Sequence, residues 1–324
     1  MKLSRPRRSE ARRATQRAFS LMELMLSVSI MVVIVGALYA MFYQTQKALH
    51  SSVNQVDVLE SGRVAMDLLG RELSQMAPTR LAGGLPPAAF TRRNANDSVA
   101  LFTALQGEGV NFAAFLTPVY QPVVQRLPVA GNLFRTNRLQ EIYFFSRYGQ
   151  AVSGTCYRVL YANNGVGTLS RFTTNANVAD LQRLRLPVSS LALLAEQQAS
   201  TNFAPIASGV IHFRVLAYDT FGLPMTWPTN RYDANSVWLV PDPYDLTAPA
   251  AAKETRCAFV SNALPAYLDI ELGVLEPTTL AQFQSFPAGS SMATSFLSNH
   301  IGQVQLFRQR VPIAESAAFY AQYR

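Results

Sequence analysis

Between Phe19 and Tyr43 the chain runs for 25 residues with a single charge, Glu23. Coiled into an α-helix, such a run spans about 37 Å, enough to cross a bilayer. No other stretch is comparable, so the sequence predicts one span. Met1 to Ala18 holds seven basic residues (Lys2, Arg5, Arg7, Arg8, Arg12, Arg13 and Arg17) and one acid, Glu10. The remainder is nearly balanced, with 21 basic and 19 acidic residues. The formal net charge of +8 therefore belongs to a short tail, the positive flank of a membrane signal. The basic core of that tail, "RSEARRATQR", has no aromatic residue to stack on bases, which argues against nucleic acid as the leading partner. The tail is expected on the cytoplasmic side and everything after about residue 45 across the membrane.

Apolar residues keep a helical period beyond the span. Leu49, Val53, Val56 and Leu59 recur at steps of three and four, and so do Met66, Leu69, Leu73 and Met76. Asp57, Glu60, Arg63, Asp67, Arg71 and Glu72 form a mixed polar face between them. Pro78 and "AGGLPP" at 82–87 stop the pattern. One nearly continuous helix is expected from Phe19 to about Ala77, apolar all round over 19–43 and amphipathic over 44–78, with one stripe packed on a globular domain.

Glu23 has two readings. At the middle of a membrane helix a carboxylate costs about 2.5–3.5 kcal/mol. Near the helix start that cost is smaller, and the dipole favours a negative charge, so Glu23 can be a tolerated interfacial acid. Alternatively it awaits a cation in the bilayer. A cut before Phe19 would expose an α-amine one helical turn away, available to the carboxylate of an adjacent subunit.

After residue 87 short runs rich in Val, Phe, Tyr and Leu alternate with Pro and Gly. "SVALFTAL" (98–105), "EIYFFSRY" (141–148), "CYRVLYA" (156–162), "GVIHFRVLAYD" (209–219), "YLDIELGVLE" (267–276) and "QVQLFRQRVPI" (303–313) read as strands. In the fifth of these, Leu268, Ile270, Leu272 and Val274 alternate with Tyr267, Asp269, Glu271 and Gly273, as in a half-buried strand. "TTLAQFQSF" (278–286) and "SMATSFLSNH" (291–300) read as short helices. The expected class is α+β: a long N-terminal helix packed on an antiparallel sheet domain over 79–324.

"A|FSLMELMLSVSIMVVIVGALYAMF" resembles the N-terminus of type IV prepilins and of the pseudopilins of type II protein secretion. Those carry a basic leader, a small residue before the cut (normally Gly, here Ala18), an aromatic first residue (here Phe19) and Glu at the fifth mature position (here Glu23). The resemblance implies a leader over 1–18, cleavage between Ala18 and Phe19 by prepilin peptidase on the cytoplasmic side, and N-methylation of Phe19. It implies an assembly role for Glu23, a pilin-like fold, and a single-pass protein of the bacterial inner membrane with its C-terminal domain in the periplasm. The expected partners are membrane lipid, then other pilins or pseudopilins packed through the N-terminal helix. "VLESGRVAMDLLGRELSQM" (58–76), "IASGVIHFRVLAYDTFGLPMTW" (206–227) and "ALPAYLDIELGVLEP" (263–277) resemble J-class minor pseudopilins and the related W-class minor pilins of type IV pili. That resemblance implies a non-enzymatic subunit near the tip of a pseudopilus. A type IV pilus subunit serving adhesion, motility or DNA uptake is the near alternative, and a membrane-anchored extracytoplasmic enzyme the distant one. The chain exceeds the usual J-class length, and the excess is expected as loops or insertions at about 80–140 and 228–258. A secretory signal cut at "VGA" (35–37) is the rival for the N-terminus, but the apolar run continues past it to Tyr43.

No metalloprotease, P-loop or nucleophile-elbow motif occurs, and no cofactor is expected. "GEGVNF" (107–112) lacks the third glycine of a dinucleotide fingerprint, and "NGVG" (164–167) reads as a hairpin turn. His50, His212 and His300 lack metal-ligand spacing, and His212 is expected as a partly exposed structural residue. Asp269 and Glu271 read as a solvated strand face. Asp242 and Asp245 in "VPDPYD" are scattered oxygen ligands without the spacing of a calcium loop. Cys156 and Cys257 would lie where disulfides persist, and either a bridge or two buried free thiols is open.

Overall fold

The computed structural model describes residues 20–78, 110–116, 123–126, 134–149, 151–177, 200–225, 237–241, 254–260, 262–287 and 289–317. Ala18, Phe19, the strand expected at 98–105, Asp242 and Asp245 lie outside these residues. The chain divides between Val53 and Asn54, inside helix α1 (Leu21–Leu73), into two compact units.

In the first unit α1 is apolar on every side from Leu24 to Tyr43, and polar residues return at Gln44 to Lys47. Its candidate membrane span, Leu21–Leu49, has 29 residues, and none of it is buried. Ser20 caps the helix: its Oγ accepts from the Glu23 backbone N–H at 3.2 Å. That places Glu23 in the first turn, where the unpaired N–H groups favour an acid.

In the second unit the remainder of α1 lies on a sheet. Val58, Ala65, Met66, Leu69 and Leu73 are buried, at helical spacing. The sequence reading of this stripe holds for Met66, Leu69 and Leu73, and for Met76 just past the helix end. It fails for Val56 and Leu59, which are exposed. Periodicity finds the apolar side of a helix but not what, if anything, covers it.

Among the described residues the sheet has nine strands, all paired antiparallel. In chain order the strands are β1 (Val110–Leu116), β2 (Val123–Arg126), β3 (Phe134–Asn137), β4 (Gln140–Tyr148), β5 (Ala151–Asn163), β6 (Val166–Asn177), β7 (Ala204–Tyr218), β8 (Val237–Pro241), β9 (Thr255–Val260), β10 (Tyr267–Leu275) and β11 (Val304–Pro312). The spatial order is β11-β10-β7-β6-β5-β4-β1-β9-β8, and β2 pairs with β3 apart from it. Helices α2 (Pro277–Gln284) and α3 (Ser291–Asn299) lie between β10 and β11. Asn164 and Gly165, both with positive φ, turn β5 into β6, as "NGVG" predicts.

One face of the sheet carries Phe112, Ile142, Tyr157, Phe213, Val215, Leu268, Ile270 and Leu272, packed with the buried stripe of α1. Parts of the regions expected as loops or insertions are strands of this sheet. β1, wholly buried, comes from 80–140 and separates β4 from β9, while β8 and most of β9 come from 228–258. Prolines around these strands suggested loops, but "VNFAAFL" is a continuous apolar run of the kind that fills the middle of a sheet.

The cysteines do not form a bridge. Cys156 sits on β5 opposite Tyr143, Tyr143 opposite Ala113, and Ala113 opposite Ala258. Cys257 is the neighbour of Ala258 and therefore points to the other face. Three interstrand steps of about 4.8 Å put the two backbones about 14 Å apart, twice the reach of a disulfide. Both are buried thiols outside any disulfide, one in each of two separate apolar clusters.

Candidate functional site

Two places stand out. The first is the start of α1. Glu23 is exposed there, and its carboxylate makes no ion pair among the described residues. "SLME" (20–23) is a capping sequence, Ser with Glu three residues on, which sequence reasoning passed over. The unpaired N–H groups of the first turn favour an acid here. They do not account for the unbroken exposed apolar surface that follows.

The second is the face of β7, β10 and β11 opposite α1. Register places Arg214, Glu271 and Arg308 in one row across the three strands, and Leu216, Asp269 and Arg310 in the next. Arg310 grips Asp269 with two bonds, Nε to Oδ1 at 2.7 Å and Nη2 to Oδ2 at 2.8 Å. Those bonds hold the Asp269 carboxyl below the usual carboxylate range. Glu271 accepts from His212 Nε2 at 3.1 Å and from Arg308 Nη2 at 2.9 Å. Arg214 turns its fork to Glu254, with Nε and Nη2 at 3.1 and 3.0 Å from Oε1, and Arg138 reaches the other oxygen of Glu254 at 2.9 Å. The result is a ladder of alternating charge, Arg138–Glu254–Arg214–Glu271–Arg308.

His212 is not the partly exposed residue expected from its strand. It is 4 % exposed. Its Nδ1 accepts the Arg138 backbone N–H at 3.0 Å, so the ring proton sits on Nε2 and donates to Glu271. Burial, with Arg135 and Arg214 close by, pushes the imidazole pKa below its ordinary value. The contact with Glu271 is thus a hydrogen bond from a neutral ring, and it holds the Glu271 carboxyl low. Gly273 opposite His212 lets this packing occur: a Cβ there would meet His212 Cβ at 2.9 Å and Arg135 Nη2 at 3.1 Å. Asp269 and Glu271 are accordingly less solvated than the sequence suggested, with side chains 26 % and 14 % exposed. Sequence reasoning missed Arg308 and Arg310. The signal was present as two arginines two residues apart in one strand and two acids two residues apart in another.

Elsewhere on the same face Glu141 pairs with Arg158 at 2.9 Å, and burial pushes its carboxyl up despite that partner. Arg158 lies over the Phe203 ring at 5.3 Å. These groups are arranged as structural ion pairs packed on aromatic rings.

The architecture defines an α+β protein with an N-terminal apolar helix, long enough to cross a membrane, ahead of a large antiparallel sheet. No protein-family model, no curated protein and no solved structure matches the chain.

Proposed function

We propose that this chain is a structural subunit of a membrane-assembled fibre: a pilin-like protein of the J-class minor pseudopilin type, serving type II protein secretion. The observation that carries this reading is the exposed apolar helix of 29 residues. It begins on a capped turn with Glu23 five positions into the sequence that starts at Phe19. A helix apolar all round needs lipid or other helices about it. On this reading the bacterial inner membrane holds the precursor, prepilin peptidase cuts between Ala18 and Phe19, Phe19 is N-methylated, and the bare half-helix then exchanges lipid for neighbouring subunits. The Glu23 carboxylate pairs with the α-amine of an adjacent subunit once assembled. Buried in a low dielectric, either partner left alone is costly, so the pair favours the assembled state.

The test is the intact mass of detergent-extracted full-length protein, together with a Glu23→Gln variant. The expected mass lacks Met1 to Ala18 and includes one added methyl group. A mature N-terminus near residue 38 would identify a secretory signal and overturn the reading. Gln removes the charge and leaves the Ser20 bond to the backbone N–H of residue 23 available. Normal monomer abundance with lost cross-links to partner subunits is expected, whereas unchanged cross-linking would reduce Glu23 to a tolerated interfacial acid. Loss of secreted enzymes in a deletion strain points to secretion, and loss of surface pili to a type IV pilus.

A further inference from the structure

We infer that β11 is a docking edge that takes an extended, acidic segment of a different protein as the next strand of the sheet. Among the described residues β11 pairs only with β10. The bonds at its two ends set its phase. The Ile313 N–H donates to Ala266 O at 2.9 Å, and Gln303 O accepts from the Glu276 N–H at 3.1 Å. Odd-numbered residues therefore turn their backbone groups to β10. Alternation leaves the N–H and C=O groups of Leu306, Arg308 and Arg310 facing away from the sheet, as a template for a further strand.

Charge selects the occupant. In the row Arg214–Glu271–Arg308 the sign alternates from strand to strand and ends on a cation at the edge. The row with Asp269 ends on Arg310 in the same way. Arg308 is 67 % exposed and Arg310 54 %, and a guanidinium has five N–H donors, more than the bonds to Glu271 and Asp269 consume. Continuing both rows requires two carboxylates two residues apart on the added strand. In the whole sequence only Asp269 and Glu271 have that spacing, and both are already inside the sheet. A second β11 placed antiparallel would set arginine against arginine. Neither this chain nor a second copy can supply the strand, so the partner is another protein bearing an acid-X-acid segment.

The rival reading is that Arg308 and Arg310 only guard an edge against pairing. The full-length protein in detergent is titrated with a labelled peptide, Thr-Val-Thr-Glu-Val-Glu-Thr-Val-Thr. Three controls are the same peptide with Lys for Glu, the same peptide N-methylated on the backbone groups that would face β11, and a single-stranded oligonucleotide. The acidic peptide is expected to bind at least tenfold more tightly than the Lys form, and N-methylation to weaken it at least tenfold. Arg308→Glu with Arg310→Glu should reverse the preference. Arg308→Gln with Arg310→Gln should abolish it with less disturbance of the fold, checked by circular dichroism. Absence of saturable binding, equal binding of acidic and Lys peptides, indifference to N-methylation, or an oligonucleotide that competes as well as the peptide would each overturn the proposal.

Discussion

The Tyr157 hydroxyl, carried by the sheet, donates to Glu72 Oε2 of helix α1 at 2.6 Å, while Arg171 reaches both carboxylate oxygens of Glu72, at 2.7 and 3.0 Å. These are charge-assisted bonds at the border of a buried contact, and Tyr157 itself stacks on Phe144 with ring centroids 6.1 Å apart. The Glu72 bonds exist in one register of helix on sheet, and they add to the close packing of Phe307 on Gly62 in fixing it.

Tyr157→Phe keeps the ring and removes the hydroxyl. It should destabilise the domain by about 1.5–3 kcal/mol, the range for a hydrogen bond to a charged group. Urea unfolding of Tyr157→Phe, Arg171→Ala and the double variant measures this. The two effects should be clearly non-additive, because both side chains serve one carboxylate.

Gly62 and Gly70 both lie in α1, where replacing glycine by alanine ordinarily favours the helix by about 1 kcal/mol. Phe307 covers Gly62 so closely that a Cβ would enter the ring, whereas a Cβ at Gly70 would meet only the amide end of Gln309, at 2.8 Å. Gly62→Ala should therefore be destabilising by about 1–3 kcal/mol through overpacking. Gly70→Ala should be neutral or stabilising, because an amide can swing aside. Unfolding midpoints in urea that place the two variants together would contradict the packing described for Phe307.

Burial pushes the Cys257 thiol up to about 12, and Cys156 is buried in the other cluster. Thiolate is the reactive form, so neither cysteine should be alkylated at neutral pH in the folded protein. Both should be labelled after unfolding without a reductant. Peptide mapping that recovers Cys156 linked to Cys257 would contradict the strand register.

His212 should make stability pH-dependent. Its folded pKa is depressed, so the unfolded chain takes up a proton first as pH falls through about 6.5. Its contribution is thus full above that pH and declines below it. Glu271 and Asp269, also depressed, add losses below about pH 4.5, the ordinary carboxylate range. The thermal midpoint should fall between pH 7 and 5. His212→Gln, which retains a donor toward Glu271 but cannot take a proton, should flatten that part of the curve.

How far the sequence reached depended on the range of each interaction. The period-two pattern of Leu268, Ile270, Leu272 and Val274 and the Asn164–Gly165 turn are local signals, and both appear in the structure as read. β1, β8 and β9 escaped because they pair across long stretches of sequence, and a short apolar run between prolines carries no mark of its partner. The Ser20 cap on the Glu23 backbone N–H is equally local, carried by the four residues Ser20 to Glu23 at the edge of the apolar run.

The sequence by itself determined an apolar helix long enough to cross a membrane, the concentration of basic charge before it, and a strand-rich remainder, since hydropathy and period need no knowledge of neighbours. Tertiary structure alone decided that the two thiols stay apart, that His212 is buried and neutral, and that Arg308 and Arg310 end two charge rows on an edge strand. Each of those depends on which strands lie side by side, and strand order is set by the total burial of the folded chain rather than by any one segment of it.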